Sequence, residues 1–109
     1  MPHFRVLEYV EGGKSFYADW FNSLDAAPAA RIDRYVRRMA QGNWGDSKSV
    51  GEGVQELRID FGPGDRVYYG IDEGRIILLL GGGTKRNQSR DIRKAINRWA
   101  AYKKRKKRR

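Results

Sequence analysis

VQELRIDFGPGDRVYYGIDEGRIILLLGGG, residues 54–83, decides the fold. Three apolar-rich segments, Val54 to Phe61, Arg66 to Ile71 and Arg75 to Leu80, are separated only by Gly62-Pro63-Gly64-Asp65 and Asp72-Glu73-Gly74. Such short connections join neighbouring strands and force them antiparallel. In the first strand Leu57, Ile59 and Phe61 fall on one face, and Val54, Glu56, Arg58 and Asp60 on the other. In the second, Val67, Tyr69 and Ile71 form the apolar set, while Arg66 shares a parity with Tyr68. Whether Arg58 and Arg66 share a sheet face depends on the register across the turn, which the sequence leaves open. Ile76 to Leu80 is apolar on both parities, as expected of a central strand covered on both faces. Gly81 to Gly83 then permit either a bulge or sharp exit from the sheet, or close approach by a phosphate or another chain's backbone.

Upstream, Phe4 to Val10 reads as a strand ended by Gly12-Gly13. Ser15 is a candidate N-cap for a short helix whose Phe16, Trp20 and Leu24 share one face. Asp25 can cap a second helix with Pro28 in its first turn. Ile32, Tyr35, Val36 and Met39 form its apolar face, and Gln41-Gly42-Asn43 stops it. Trp44 to Gly53 holds three glycines and no periodicity, so a loop is expected. Downstream, Ser89 is a candidate N-cap and Asp91 suits the first turn of a last helix. Ile92, Ala95, Ile96 and Trp99 form that helix's apolar face. Trp20 and Trp99 read as core, and Trp44 is less determined. The order β-α-α-β-β-β-α implies an α+β fold: a small antiparallel sheet, an N-terminal helical hairpin and a C-terminal helix.

Composition narrows the chemistry. At 109 residues one domain is expected, over 1–102, with 103–109 (KKRKKRR) as a basic, disordered tail. The absence of Cys excludes a disulfide scaffold, a thiolate metal site and a Cys nucleophile. A single His, at position 3, excludes a two-His metal site. The GxxxxGK[ST] spacing of a phosphate-binding loop is missing. No apolar run nears the roughly 18 residues of a membrane span. Met1 to Val10 lacks a signal-peptide core, so a cytoplasmic location with no membrane partner is expected.

The net charge of +10 is concentrated at one end. Residues 1–82 carry a net charge of −2, residues 83–102 a net of +5 and residues 103–109 a net of +7. Such asymmetry fits a polyanion partner such as nucleic acid. For the last seven residues alone, a solvated tail is an equal reading. Lys85 and Arg86 follow a central strand and a Gly-rich stretch, a usual place for functional groups.

VGEGVQELRIDFGPGDRVYYG followed by IILLLGGGTKRNQSRDIRKA resembles the RelE/ParE superfamily of toxin–antitoxin toxins, in its phage Gp49-like, HigB-type branch. The likeness runs from about Phe4 to Tyr102. It implies a toxin neutralised by a helix-turn-helix antitoxin encoded nearby, with operator DNA reached only through the antitoxin. RelE- and HigB-like members cleave mRNA in the ribosomal A site, whereas ParE-like members poison gyrase. An inactive RNA-binding module on the same fold is a third reading. By the resemblance, Arg58, Arg66 and Lys85 are the catalytic candidates, with no cofactor and no metal. Arg86, Arg90, Arg93, Lys94 and Lys48 are the candidates for RNA binding. Glu56 stands where RelE-like toxins have a second basic residue, and Ile92 near their catalytic tyrosine. That leaves Asp91 as the local acid/base candidate. Arg66→Ala is expected to abolish toxicity and leave the fold intact.

Overall fold

A computed structural model describes residues 3–107. In chain order the elements are β1 (Arg5–Glu8), β2 (Val10–Glu11), β3 (Lys14–Ser15), α1 (Phe16–Asn22), α2 (Ala26–Ala40), β4 (Asp46–Gly51), β5 (Val54–Ile59), β6 (Asp65–Asp72) and β7 (Ile76–Thr84). A 3-10 turn over Lys85–Asn87 leads into α3 (Gln88–Lys107). The main sheet has the order β1-β7-β6-β5-β4. β4 to β7 pair antiparallel, as the short turns require, and β1 joins β7 in parallel.

The sheet is the middle of three layers. Ile77 and Leu79 of β7 pack with Leu57, Ile59, Val67 and Tyr69 beneath α1 and α2, which contribute Tyr17, Ile32, Val36 and Met39. Leu78 and Leu80 face the other way and pack with Val54 and Tyr68 beneath Ala95 and Trp99 of α3. The doubly apolar run of β7 thus has both faces covered. The Ser15 hydroxyl caps α1 by accepting from the Ala18 amide at 3.0 Å. Asp25 occupies the N-cap of α2 without a side-chain cap bond.

Several expectations are corrected. Phe4 to Val10 is not one strand: β1 ends at Glu8, and Val10–Glu11 turns away to pair with Lys14–Ser15. Residues 46–51, expected in a loop, form edge strand β4 against β5. Phe61 lies outside the core, 58 % exposed, with the Arg31 guanidinium carbon 3.6 Å above its ring. Trp44 does reach the core, stacked on Tyr69 at 6.0 Å between ring centroids. The last helix starts at Gln88, so Ser89 lies inside it.

The three glycines neither leave the sheet nor lie open to a phosphate. β7 continues through Thr84, with a bulge where the register shifts between Tyr68 and Tyr69. A Cβ on Gly82 would fall within the Trp20 ring, one on Gly81 against the Arg98 guanidinium, and one on Gly83 on the Asp91 carboxylate. Neighbouring side chains occupy the space that β7 side chains would fill. Gly82→Ala should therefore destabilise by about 1–3 kcal/mol through overpacking, with Trp20 fluorescence altered. Equal chemical-denaturation midpoints for variant and parent would contradict this packing.

The basic C-terminus is also corrected. α3 runs to Lys107, so residues 103–107 are helical, while residues 108 and 109 lie outside the described residues. Lys106 Nζ donates to Asp72 Oδ2 at 2.6 Å and Glu73 Oε2 at 2.7 Å, and the Tyr102 hydroxyl donates to Asp72 Oδ2 at 2.6 Å. Arg105 lies over the Tyr9 ring at 4.9 Å. The last described turns of α3 thus clamp the β6–β7 turn. Burial pushes the Asp72 carboxyl up, but the bonds from Lys106 and Tyr102 outweigh it and hold it below its ordinary range. Lys106 and Arg75 lower Glu73 likewise, and the two carboxylates raise Lys106.

The sign of the pH effect follows. Lowered carboxylates contribute stability above their unfolded pKa and lose it as pH falls through the folded value. The raised lysine contributes below its unfolded pKa and loses it as pH rises through the folded value. Deleting residues 103–109 should lower Tm by several degrees between about pH 5 and pH 10. The difference should shrink below about pH 4 and in high salt. A Tm unchanged by the deletion at pH 7 would rule out the clamp.

Candidate functional site

The antiparallel register answers the question left by the Gly-Pro-Gly turn. Arg58 and Arg66 are directly opposite on β5 and β6, so they share the α3 face of the sheet. The pairing extends in both directions. Asp46, Arg58, Arg66 and Gly83 are successive partners across β4, β5, β6 and β7. Lys48, Glu56, Tyr68 and Gly81 form the adjoining row.

A cleft of about 210 Å³ opens over the first row, lined by Asp46, Arg58, Asp60, Gly64, Arg66 and Lys85. The three catalytic candidates therefore meet at one place. Lys85 arrives from the 3-10 turn after β7, and Gly64 from the turn between β5 and β6. Gly64 has φ +74°, and a Cβ there would stand 3.0 Å from Arg66 Nη1 and 3.4 Å from Lys85 Cβ. Its carbonyl accepts a bond from Arg66 Nη1 at 2.6 Å. Glycine at this position lets the turn close over the arginine.

The two arginines are differently placed. Arg66 is 3 % exposed and belongs to the floor of the cleft. The Arg58 side chain is 39 % exposed and faces its opening. Beneath both lies Glu56, fully buried. Its Oε2 is 3.6 Å from Arg66 Nε and accepts a bond from Gln88 Nε2 at 2.8 Å, and its Oε1 is 4.0 Å from Arg58 Nε. Glu56 Oε1 and Arg66 Nε make no hydrogen bond. The acid found where a basic residue was anticipated is thus a buried anchor for the two guanidinium groups. Arg66→Ala is therefore expected to lose stability as well as toxicity. Removing Arg66 would strand a buried carboxylate.

The other candidates fall around this cleft. Arg86, Arg90 and Arg93 line a shallow depression that shares Lys85 with it. Lys48 is on β4, two residues from Asp46 and opposite Glu56. Lys94 is farther along α3, by a separate polar cleft of about 130 Å³ with Phe16, Tyr68, Asp91 and Arg98. Asp91 lines that second cleft and not the first. Burial lifts its carboxyl above the ordinary range, with Arg90, Lys94 and Arg98 pulling it back. Ile92 packs against the α3-side core. His3 is exposed. Asp46 and Asp60 are the cleft residues that sequence reasoning did not assign. The loop expected over residues 44–53 hid the first, and the sequence places Asp60 on the face of Arg58 without a role.

A larger cleft of about 400 Å³ lies at the C-terminal clamp, lined by Leu7, Val10, Leu78 and Lys106 among others. The cations on its wall, Lys106 and Arg105, are already bonded or stacked. Among the described residues, no three His, Cys, Asp or Glu side chains are grouped to hold a metal ion. No helix there is long and apolar enough to cross a membrane.

Comparison with known proteins agrees with this architecture. A solved structure of Escherichia coli toxin RelE, a double arginine-to-alanine variant in the free state, superposes with a TM-score of 0.69 at 15 % identity. The match covers 90 % of this chain and 98 % of that one, and it establishes the fold. An uncharacterised protein of Haemophilus influenzae is 42 % identical over 80 residues, 72 % of this chain and 81 % of that protein. The family model described as phage-derived protein Gp49-like matches residues 19–100. On this evidence the chain belongs to the Gp49-like family of phage-derived proteins, with the fold of the RelE toxin.

Proposed function

We propose that the chain is the toxin of a type II toxin–antitoxin pair and acts in the cytoplasm by cutting mRNA on the ribosome without a metal. The observation that carries this reading is the convergence of Arg58, Arg66 and Lys85 on one cleft, beside a depression lined by Arg86, Arg90 and Arg93. Cleavage of a phosphodiester by its own 2′-hydroxyl builds negative charge on the non-bridging oxygens. Preorganised cationic donors in a partly desolvated cleft stabilise that charge most where it develops. Arg58 presents a planar fork suited to phosphate, and Arg66 below it is fixed by Glu56 and the Gly64 carbonyl.

The adjoining cations on α3, with Lys48 and Lys94, supply a surface for RNA backbone. The partner that silences the toxin is a helix-turn-helix antitoxin encoded beside it, and operator DNA is reached through that antitoxin. The test is induction of the chain alone, with primer extension on a reporter transcript. New 5′ ends within translated codons and arrested protein synthesis are expected. Intact transcripts with normal translation would reject the reading. Filamentation with gyrase–DNA cleavage complexes would replace it by a gyrase-directed toxin, and harmless expression by an inactive RNA-binding module.

A further inference from the structure

Arg58 and Arg66 are permanently charged and make poor bases, so the cleft needs another group to take a proton from the nucleophile. We infer that Asp46 is that group: a further catalytic residue, which accepts the proton of the attacking ribose 2′-hydroxyl. The inference rests on the nuclease reading above.

Three observations support it. Asp46 lines the cleft with both arginines. It is the register partner of Arg58, so its side chain stands on the same face, one strand spacing from the phosphate-binding fork. Asp46 makes no ion pair within 4.0 Å among the described residues, so its carboxylate is not committed to another cation. Asp60 also lines the cleft, but it follows the last residue of β5 and has no ladder to fix it. Asp46 belongs to β4 and is held by the β4–β5 pairing.

The topology also satisfies the line of the reaction. In-line displacement needs the proton acceptor and the proton donor on opposite sides of phosphorus. Asp46 is on β4, and Lys85 follows β7, so along the strand order they flank Arg58 and Arg66 from opposite directions on one face. β4 and β7 are three strand spacings apart, about 14 Å, which leaves room for a phosphodiester between Asp46 and Lys85. The step then balances. The 2′-hydroxyl gives its proton to the Asp46 carboxylate as its oxygen bonds to phosphorus. The bond from phosphorus to the 5′-oxygen breaks, and the leaving oxygen takes a proton from the Lys85 ammonium. The products are a 2′,3′-cyclic phosphate and a 5′-hydroxyl, and both side chains are reset by exchange with water.

The test is single-turnover cutting of a ribosome-bound mRNA across pH 5 to 9, by the parent chain and by the Asp46→Asn, Asp60→Asn and Lys85→Ala variants. The same set is run on an mRNA whose scissile 5′-oxygen is replaced by sulfur, a leaving group that needs no proton. Asp46→Asn is expected to cut about 100-fold or more slowly, with the rise of rate from low pH flattened and no recovery on the sulfur substrate. Lys85→Ala is expected to recover on that substrate. Asp46→Asn cutting at the parent rate, or recovering with sulfur, overturns the assignment. So does loss confined to Asp60→Asn. A parent chain that cuts neither mRNA overturns the nuclease reading itself, and Asp46 with it.

Discussion

Arg66→Ala should cost about 3–5 kcal/mol of folding stability in addition to activity, a large share of the roughly 5–15 kcal/mol available to a domain of this size. Arg66 and Glu56 are both buried, and Nε and Oε2 lie 3.6 Å apart. Truncating the arginine leaves a carboxylate in the interior with Gln88 as its one hydrogen-bond partner. The double variant Arg66→Met with Glu56→Gln removes both charges and keeps most of the volume. It should regain most of the lost stability, because a buried ion pair exchanged for matched uncharged groups is often near neutral. It should not regain activity. Chemical denaturation of the three proteins checks both halves. A loss below about 1 kcal/mol in Arg66→Ala would mean that the pair does not hold the cleft floor.

Arg58→Ala should behave in the opposite way. Its guanidinium is partly open to solvent and stands 4.0 Å from Glu56, a distance that gives a weak, screened attraction. The stability change should stay under about 1 kcal/mol. Cutting should slow by about 10²–10³-fold, the usual loss when one preorganised donor to a developing oxyanion is removed. Arg58 therefore separates function from folding where Arg66 cannot. A stable Arg58→Ala protein with full toxicity would remove the arginine from the site.

The sequence made the central sheet legible because its signals are local. Gly62-Pro63-Gly64-Asp65 and Asp72-Glu73-Gly74 fix antiparallel neighbours, and Ile76 to Leu80 is apolar on both parities. The α2 periodicity was equally plain, since Ile32, Val36 and Met39 are all buried. What was hidden depends on distant groups. β4 is an edge strand of sequence DSKSVG with only half-buried and exposed residues, so no apolar alternation marks it. Gly81 to Gly83 read as a bulge or an exit from the sheet; a bulge is present beside Gly81, and the strand continues because Trp20, Arg98 and Asp91 arrive from α1 and α3 to fill the glycines' places.

The site was legible in the same measure. Arg58, Arg66 and Lys85 could be chosen as residues, and the register that brings them together depends on how the Gly-Pro-Gly turn closes. Whether Arg66 was exposed could not be read from a strand that alternates charge with aromatics. Its burial follows from the turn folding over it and from Glu56 and Gln88 meeting underneath. The run of charge at the C-terminus looked like a disordered tail by composition. It is helical through Lys107 because Asp72 and Glu73 on a β-turn neutralise Lys106, a pairing that spans 33 residues or more.

The most direct test uses purified chain, programmed ribosomes and an end-labelled mRNA, with and without the ribosome and in the presence of a metal chelator. Cutting within the translated reading frame only when ribosomes are present, undiminished by chelator and about 100-fold slower or more with folded Arg58→Ala, is the predicted result. Uncut mRNA on ribosomes, or cutting at the parent rate by folded Arg58→Ala, would contradict the assignment of the Arg58–Arg66–Lys85 cleft as an RNA-cleaving centre.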